Sequence, residues 1–91
     1  MHGEYKVPGG KLVVVDLSVH EGRLSQVQVS GDFFLEPAET LGAINAALEG
    51  QPVSADEAAL ARRVQKVLEP PVATFGFDAN AVAVAVRRAL S

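Results

Sequence analysis

Apolar residues follow two rhythms along the chain, and the change between them divides it. In residues 11–20, Val13, Val15, Leu17 and Val19 fall on one face, while Asp16, Ser18 and His20 fall on the other. A period of two with many β-branched residues predicts a strand with one wet face. Residues 25–30 alternate again, Val27 and Val29 against Gln26 and Gln28, and Glu21-Gly22 supplies a turn between the two runs. The two strands are expected to pair antiparallel. Leu24 breaks the alternation, which predicts either a bulge or a strand that begins later. A short first strand at residues 5–7 would stop at Pro8-Gly9-Gly10. Pro8 suits the second position of a type II turn and Gly9 the third, where the backbone needs positive φ. Tight two-residue hairpins prefer the primed turns, so a wider loop is expected here.

Past residues 31–35 the period lengthens. Pro37 suits the first turn of a helix, where its missing N–H has no partner to lose. Leu41, Ile44 and Leu48 then form a stripe that Gly50 and Pro52 end. Ser54 and Glu57 match the S-x-x-E capping box, followed by Leu60, Val64, Val67 and Leu68 at helical spacing. Glu69-Pro70-Pro71 stops this second helix. Asp78 is placed to cap a third, with Val82, Val86, Ala89 and Leu90 on one side and Arg87 and Arg88 in the last turn, where cations suit the dipole. Residues 72–77 are short and apolar, fitting either an added strand or a packed loop. Strands first and helices after predict an α+β fold: a small antiparallel sheet of about three strands packed against about three helices. Residues 1–91 are read as one domain, with no internal repeat or long linker.

Composition narrows the function classes. The chain is 48% hydrophobic but only 5% aromatic, which describes an ordinary globular domain with a small-residue core. It contains no cysteine, so disulfides, thiolate nucleophiles and cysteine-based zinc sites are excluded. A formal net charge of -3 removes the broad attraction that non-specific binding to phosphate backbones needs, so no nucleic-acid partner is expected. The longest apolar runs, at residues 12–15 and 81–86, fall far short of the roughly 20 residues of a membrane span. No membrane partner and no signal peptide are expected, and a cytoplasmic location is the default.

The candidate chemistry is sparse. His2 and His20 are the only histidines, neither beside a nucleophile that it could activate, and together they make no familiar metal spacing. No catalytic and no metal residue is assigned. Glu36, Glu39, Glu49, Asp56 and Glu57 sit where helix caps and solvated faces want carboxylates. Two segments stand out. Lys6-Val7-Pro8-Gly9-Gly10-Lys11 sets two cations around a glycine turn whose N–H groups are expected to be free for an anion; it lacks the spacing of a nucleotide P-loop, and an ordinary turn with solvated lysines remains the competing reading. Ser30-Gly31-Asp32-Phe33-Phe34-Leu35 joins adjacent aromatics to a Gly-Asp step. One ring can face the core while its neighbour, if exposed, anchors a partner or ligand; two core phenylalanines around a capping Asp is the alternative.

With these residues in view, "YKVPGGKLVVVDL…GRLSQVQVSGDFFLEP" resembles the C-terminal accessory domain of bacterial and archaeal lipoate–protein ligases. The match covers residues 5 to about 50, sharpest at K-x-P-G-G-K-L and S-G-D-F-F, with E-P-A-E-T-L opening the first helix. In that family the domain is fused behind the catalytic domain or stands as a separate small subunit, and a chain starting just before the motif resembles the separate form. The resemblance implies a two-step reaction in which lipoate and ATP give lipoyl-AMP, after which the lipoyl group passes to a lysine of a carrier protein. It implies a catalytic large subunit as partner, lipoyl-carrier proteins as indirect partners, and lipoate, ATP and Mg2+ in the complex, with no cofactor bound by this chain alone. Substrate or interface roles fall to Lys6, Pro8, Gly9, Gly10, Lys11, Gly31, Asp32, Phe33 and Phe34. The competing expectations are a non-catalytic protein-interaction or small-ligand-binding module of the same fold, and an acyl-accepting Lys11. The last is disfavoured because Pro-Gly-Gly-Lys lacks the acidic or hydrophobic surroundings usual in carrier turns.

Overall fold

A computed structural model describes residues 1–91. In chain order the elements are β1 (His2–Lys6), β2 (Leu12–His20), β3 (Arg23–Gly31), β4 (Phe34–Glu36), α1 (Thr40–Leu48), α2 (Glu57–Val67), β5 (Ala73–Phe75) and α3 (Ala79–Leu90). The first three strands form an antiparallel sheet in the order β1-β2-β3, and β4 and β5 form a separate antiparallel ribbon. The architecture is α+β, as the pattern predicts, with the ribbon as an addition. Of residues 72–77, Ala73–Phe75 form a strand, paired Phe34 to Phe75, Leu35 to Thr74 and Glu36 to Ala73, and the remainder is loop, with Phe77 packed on Phe33.

The helices cover the sheet face that carries Val13, Val15, Leu17, Leu24, Val27 and Val29, all buried. Opposite them lie Ile44 and Leu48 of α1, Leu60 and Val64 of α2, and Val82 and Val86 of α3. Leu24 joins Val27 and Val29 because β3 carries a bulge. Asp16 pairs with Gln28 but Ser18 pairs with Ser25, so three residues of β3 span two of β2, and Gln26 takes φ +53°. An extra residue restores the inward face after a change of phase. Val19 lies across from Leu24 but, near the strand end, remains 37% exposed.

Three boundaries differ from the sequence reading. β1 begins at His2, three residues earlier than expected, and Val7 belongs to the turn. His2, Gly3 and Glu4 have weak strand preferences, but α3 rests directly on Gly3, where a Cβ would collide with the Ala85 carbonyl and the Ala89 backbone. Arg88 reinforces this contact by donating from Nη1 to the Glu4 carbonyl at 3.0 Å, its guanidinium 5.0 Å from the Tyr5 ring centre.

α1 begins at Thr40 and not at Pro37, because β4 runs to Glu36 and a turn follows in which the Thr40 N–H donates to the Pro37 carbonyl. The capping box is also corrected: Asp56, not Ser54, caps α2, its carboxylate accepting from the Ala59 N–H at 2.8 Å. Ser54 lies in a turn closed from the Ala55 N–H to the Pro52 carbonyl. Arg87 of α3 holds that turn by donating from Nη1 to the carbonyls of Val53 and Ala55. Asp78 caps α3 as expected, accepting from the Ala81 N–H.

Candidate functional site

The turn after β1 is type II, with the Gly10 N–H donating to the Val7 carbonyl at 2.8 Å and Gly9 at φ +71°. Two of its amides are taken. Gly10 is committed to Val7, and the Lys11 N–H donates to the Gly76 carbonyl at 2.8 Å. Lys6 turns back over its own loop, its ammonium donating to the Gly10 carbonyl at 2.6 Å and the Val7 carbonyl at 3.2 Å. The expected backbone cradle for an anion is thus largely closed, because these polar groups satisfy one another. Pro8 and Gly9 shape the turn. The three ion pairs of the chain all involve histidines, so the exposed Lys11 ammonium stands without an ionic partner.

Gly31 faces Val13 across the end of the β2–β3 ladder at φ +153°, where a side chain would strike the Leu12 carbonyl. The chain then turns with the Asp32 N–H donating to that carbonyl. This turn separates the two aromatics. The Phe33 ring lies against Phe77, with centres 4.0 Å apart and planes inclined by 30°. Phe34 is 54% exposed and lies across the ribbon from Phe75, which is 68% exposed. Asp32 is exposed and caps no helix.

Gly76 joins the two segments. It sits between Phe75 and Phe77, its carbonyl holds the Lys11 amide, and the Lys11 side chain fills the space where a Gly76 Cβ would lie. The Lys6–Lys11 turn, the Gly31–Phe34 segment and Phe75-Gly76-Phe77 therefore meet at one end of the molecule. Sequence reasoning missed Phe75 and Phe77. Their F-G-F spacing after two prolines is visible, but their register against residues 33–34 exists only in three dimensions. A shallow apolar groove of about 240 Å³ runs beside β4, lined by Ser30, Gly31, Phe33, Leu35, Ala38 and Leu41.

Elsewhere His2 and Glu49 have defined hydrogen-bond partners. His2 lies between Glu4 and Asp16, each 2.7 Å from a ring nitrogen. The hydrogen bond to Glu4, and then that to Asp16, raise the His2 pKa above 6.5. Glu49, exposed at the C-terminal end of α1, also accepts from the N–H groups of Gln26 and Val27 at 2.7 and 3.1 Å. No three His, Cys, Asp or Glu side chains converge into a metal-binding group. No helix is long and apolar enough to cross a membrane.

Comparison with solved structures gives an α+β domain of known fold. The chain is similar to one described under "Structural analysis of an archaeal lipoylation system. A bi-partite lipoate protein ligase and its E2 lipoyl domain from Thermoplasma acidophilum". The TM-score is 0.70 at 22% identity, covering 96% of this chain and 98% of that one. At that identity the likeness is one of fold. No family model and no curated protein matches the chain.

Proposed function

We propose that this chain is the accessory subunit of a two-component lipoate–protein ligase. In this role it supports ATP-dependent activation of lipoate to lipoyl-AMP by a separate catalytic subunit, before transfer to a lysine of a carrier protein. The observation that carries the reading is the meeting of K-x-P-G-G-K-L and S-G-D-F-F at one end of the molecule, 19 residues apart from Lys11 to Ser30 in sequence but joined through Gly76 and the Phe33–Phe77 stack. The fold likeness, which spans nearly the whole of both chains, supports it.

Acyl-adenylate formation needs ATP, a metal ion and a carboxylate held together, with charge stabilisation at the reacting phosphate. Mg2+ at a nucleotide is held mainly by the phosphates and one or two carboxylates; in this reading ATP, Mg2+ and lipoate belong to the catalytic subunit. The accessory chain contributes binding energy: docking favours the closed arrangement of the loops around the adenylate, as any ligand that prefers one state shifts the balance toward it. Lys11, exposed and unpaired, faces the anionic side of that pocket. Lys6, engaged with its own loop, stiffens the turn that carries Lys11.

The test is to add the purified chain to its cognate large subunit and measure lipoate-dependent ATP–pyrophosphate exchange. Stimulation is expected, and its absence discards the reading. Lys11→Ala should lower exchange while the thermal melt is unchanged; unchanged exchange would leave Lys11 as a turn residue only.

A further inference from the structure

Gly10 and Gly76 meet where the Lys6–Lys11 turn touches the end of the β4–β5 ribbon. Gly9 has the positive φ that the type II turn needs and Gly10 does not, so the turn alone gives no reason for the second glycine. The reason lies across the junction: a Cβ on Gly10 would stand 2.7 Å from the Gly76 carbonyl oxygen. Gly76, at φ +90°, has no space for a Cβ either, because Cβ and Cγ of Lys11 fill it. The carbonyl that excludes a side chain from Gly10 also accepts the Lys11 N–H at 2.8 Å. Each segment thus omits a side chain where the other enters.

The result is a seat for one cation. Its base is held on both sides of Gly76: Phe77 is buried and stacks on Phe33, and Phe75 is paired with Phe34. Lys11 has its amide bonded and its first two side-chain carbons packed, so the freedom left to it lies in the outer bonds of the stem. Its ammonium has no ionic partner. A charge held in place beforehand needs no reordering when negative charge develops beside it.

We propose that Gly10 and Gly76 are positioning residues for Lys11: they let the ribbon close on the turn and fix the direction in which the Lys11 side chain leaves the surface. The inference rests on the accessory-subunit reading, in which Lys11 faces the anionic side of the adenylate pocket. It adds the reason for the second glycine of P-G-G-K and a role for Gly76, which carries no chemistry of its own.

The first measurement needs the chain alone. Three-bond NMR couplings about the Cα–Cβ and Cβ–Cγ bonds of Lys11 should show one rotamer, against averaged values at the exposed Lys66; averaged values at Lys11 overturn the proposal. The second is a double-mutant cycle on lipoate-dependent ATP–pyrophosphate exchange, run with the accessory chain saturating so that weaker assembly does not register. Gly10→Ala and Gly76→Ala should each lower exchange by on the order of 10-fold or more, as displacement of a reacting group by about 1 Å does. Lys11→Met keeps the stem and removes the charge. In that background the same substitutions should lower the melting temperature as much as in wild type but change exchange by less than about 2-fold. Equal losses of exchange in the two backgrounds, or no loss in the first, overturn the positioning role and leave the accessory reading in place. Absence of stimulation by the wild-type chain overturns both. If both glycine variants unfold, the rotamer couplings of the wild-type chain decide.

Discussion

The Gln26 N–H donates to Glu49 at 2.7 Å, and this bond sits on the residue whose φ of +53° makes the bulge in β3. The same carboxylate takes the Val27 N–H, and Asn45, one helical turn earlier, takes the Val29 N–H at 2.9 Å. α1 thus stabilises the strand through side chains set on one face of the helix. Glu49→Ala leaves two backbone donors without their acceptor and should destabilise the fold by about 1–3 kcal/mol. Glu49→Gln, which keeps one acceptor oxygen, should lose less. Urea denaturation of the three proteins checks the order.

Gly3 lies where α3 crosses β1, with no space for a methyl group between it and the backbone of Ala85 and Ala89. Gly3→Ala should force α3 away from the sheet, with a loss of about 1–3 kcal/mol or more, typical of overpacking. Gly42, with open space around its Cβ position, provides the contrast. Its replacement by Ala inside α1 should stabilise by about 0.5–1 kcal/mol through helix propensity. The two thermal melts should move in opposite directions.

Phe33 and Phe34 are neighbours with different work. Phe33→Ala removes the stack on Phe77 and should cost about 1–3 kcal/mol of stability, the ring being half-buried. Phe34→Ala should change stability by less than about 0.5 kcal/mol, as expected for a surface ring. Chemical denaturation separates the pair, and equal losses would mean that Phe34 also packs.

The raised pKa of His2 gives a pH dependence of definite sign. Its two carboxylate partners favour the imidazolium, so the folded value lies above the ordinary 6.5. The resulting stabilisation is fully present below pH 6.5 and is lost as pH rises through the raised midpoint. NMR titration of the His2 ring should give a midpoint above 6.5, and Glu4→Gln should lower it more than Asp16→Asn. The difference in melting temperature between wild type and His2→Asn should shrink on the alkaline side.

Much of the architecture is legible in the chain because it depends on local rules. The alternation of β2, the out-of-step Leu24, the Pro8-Gly9 turn and the Asp78 cap each appear as residue types at set spacings. What is not legible depends on distant partners. β1 starts at His2 because α3 lies on Gly3, Asp56 displaces Ser54 as the cap in a turn held by Arg87, and β5 is a strand because β4 is there to pair with it. The same division runs through the candidate site. Phe33 and Phe34 are conspicuous as neighbours, but Phe75 gains meaning only through its register against Phe34. The Gly9-Gly10 turn looked open to anions since nothing local shows that Gly76 occupies the Lys11 amide.

The side chains along β3 also govern how molecules meet. An outer strand with bare amides invites a strand from another chain to extend the sheet, the first step toward fibrillar aggregates. With Asn45 and Glu49 already holding the amides of Gln26, Val27 and Val29, that flank has fewer donors left for a newcomer to pair with.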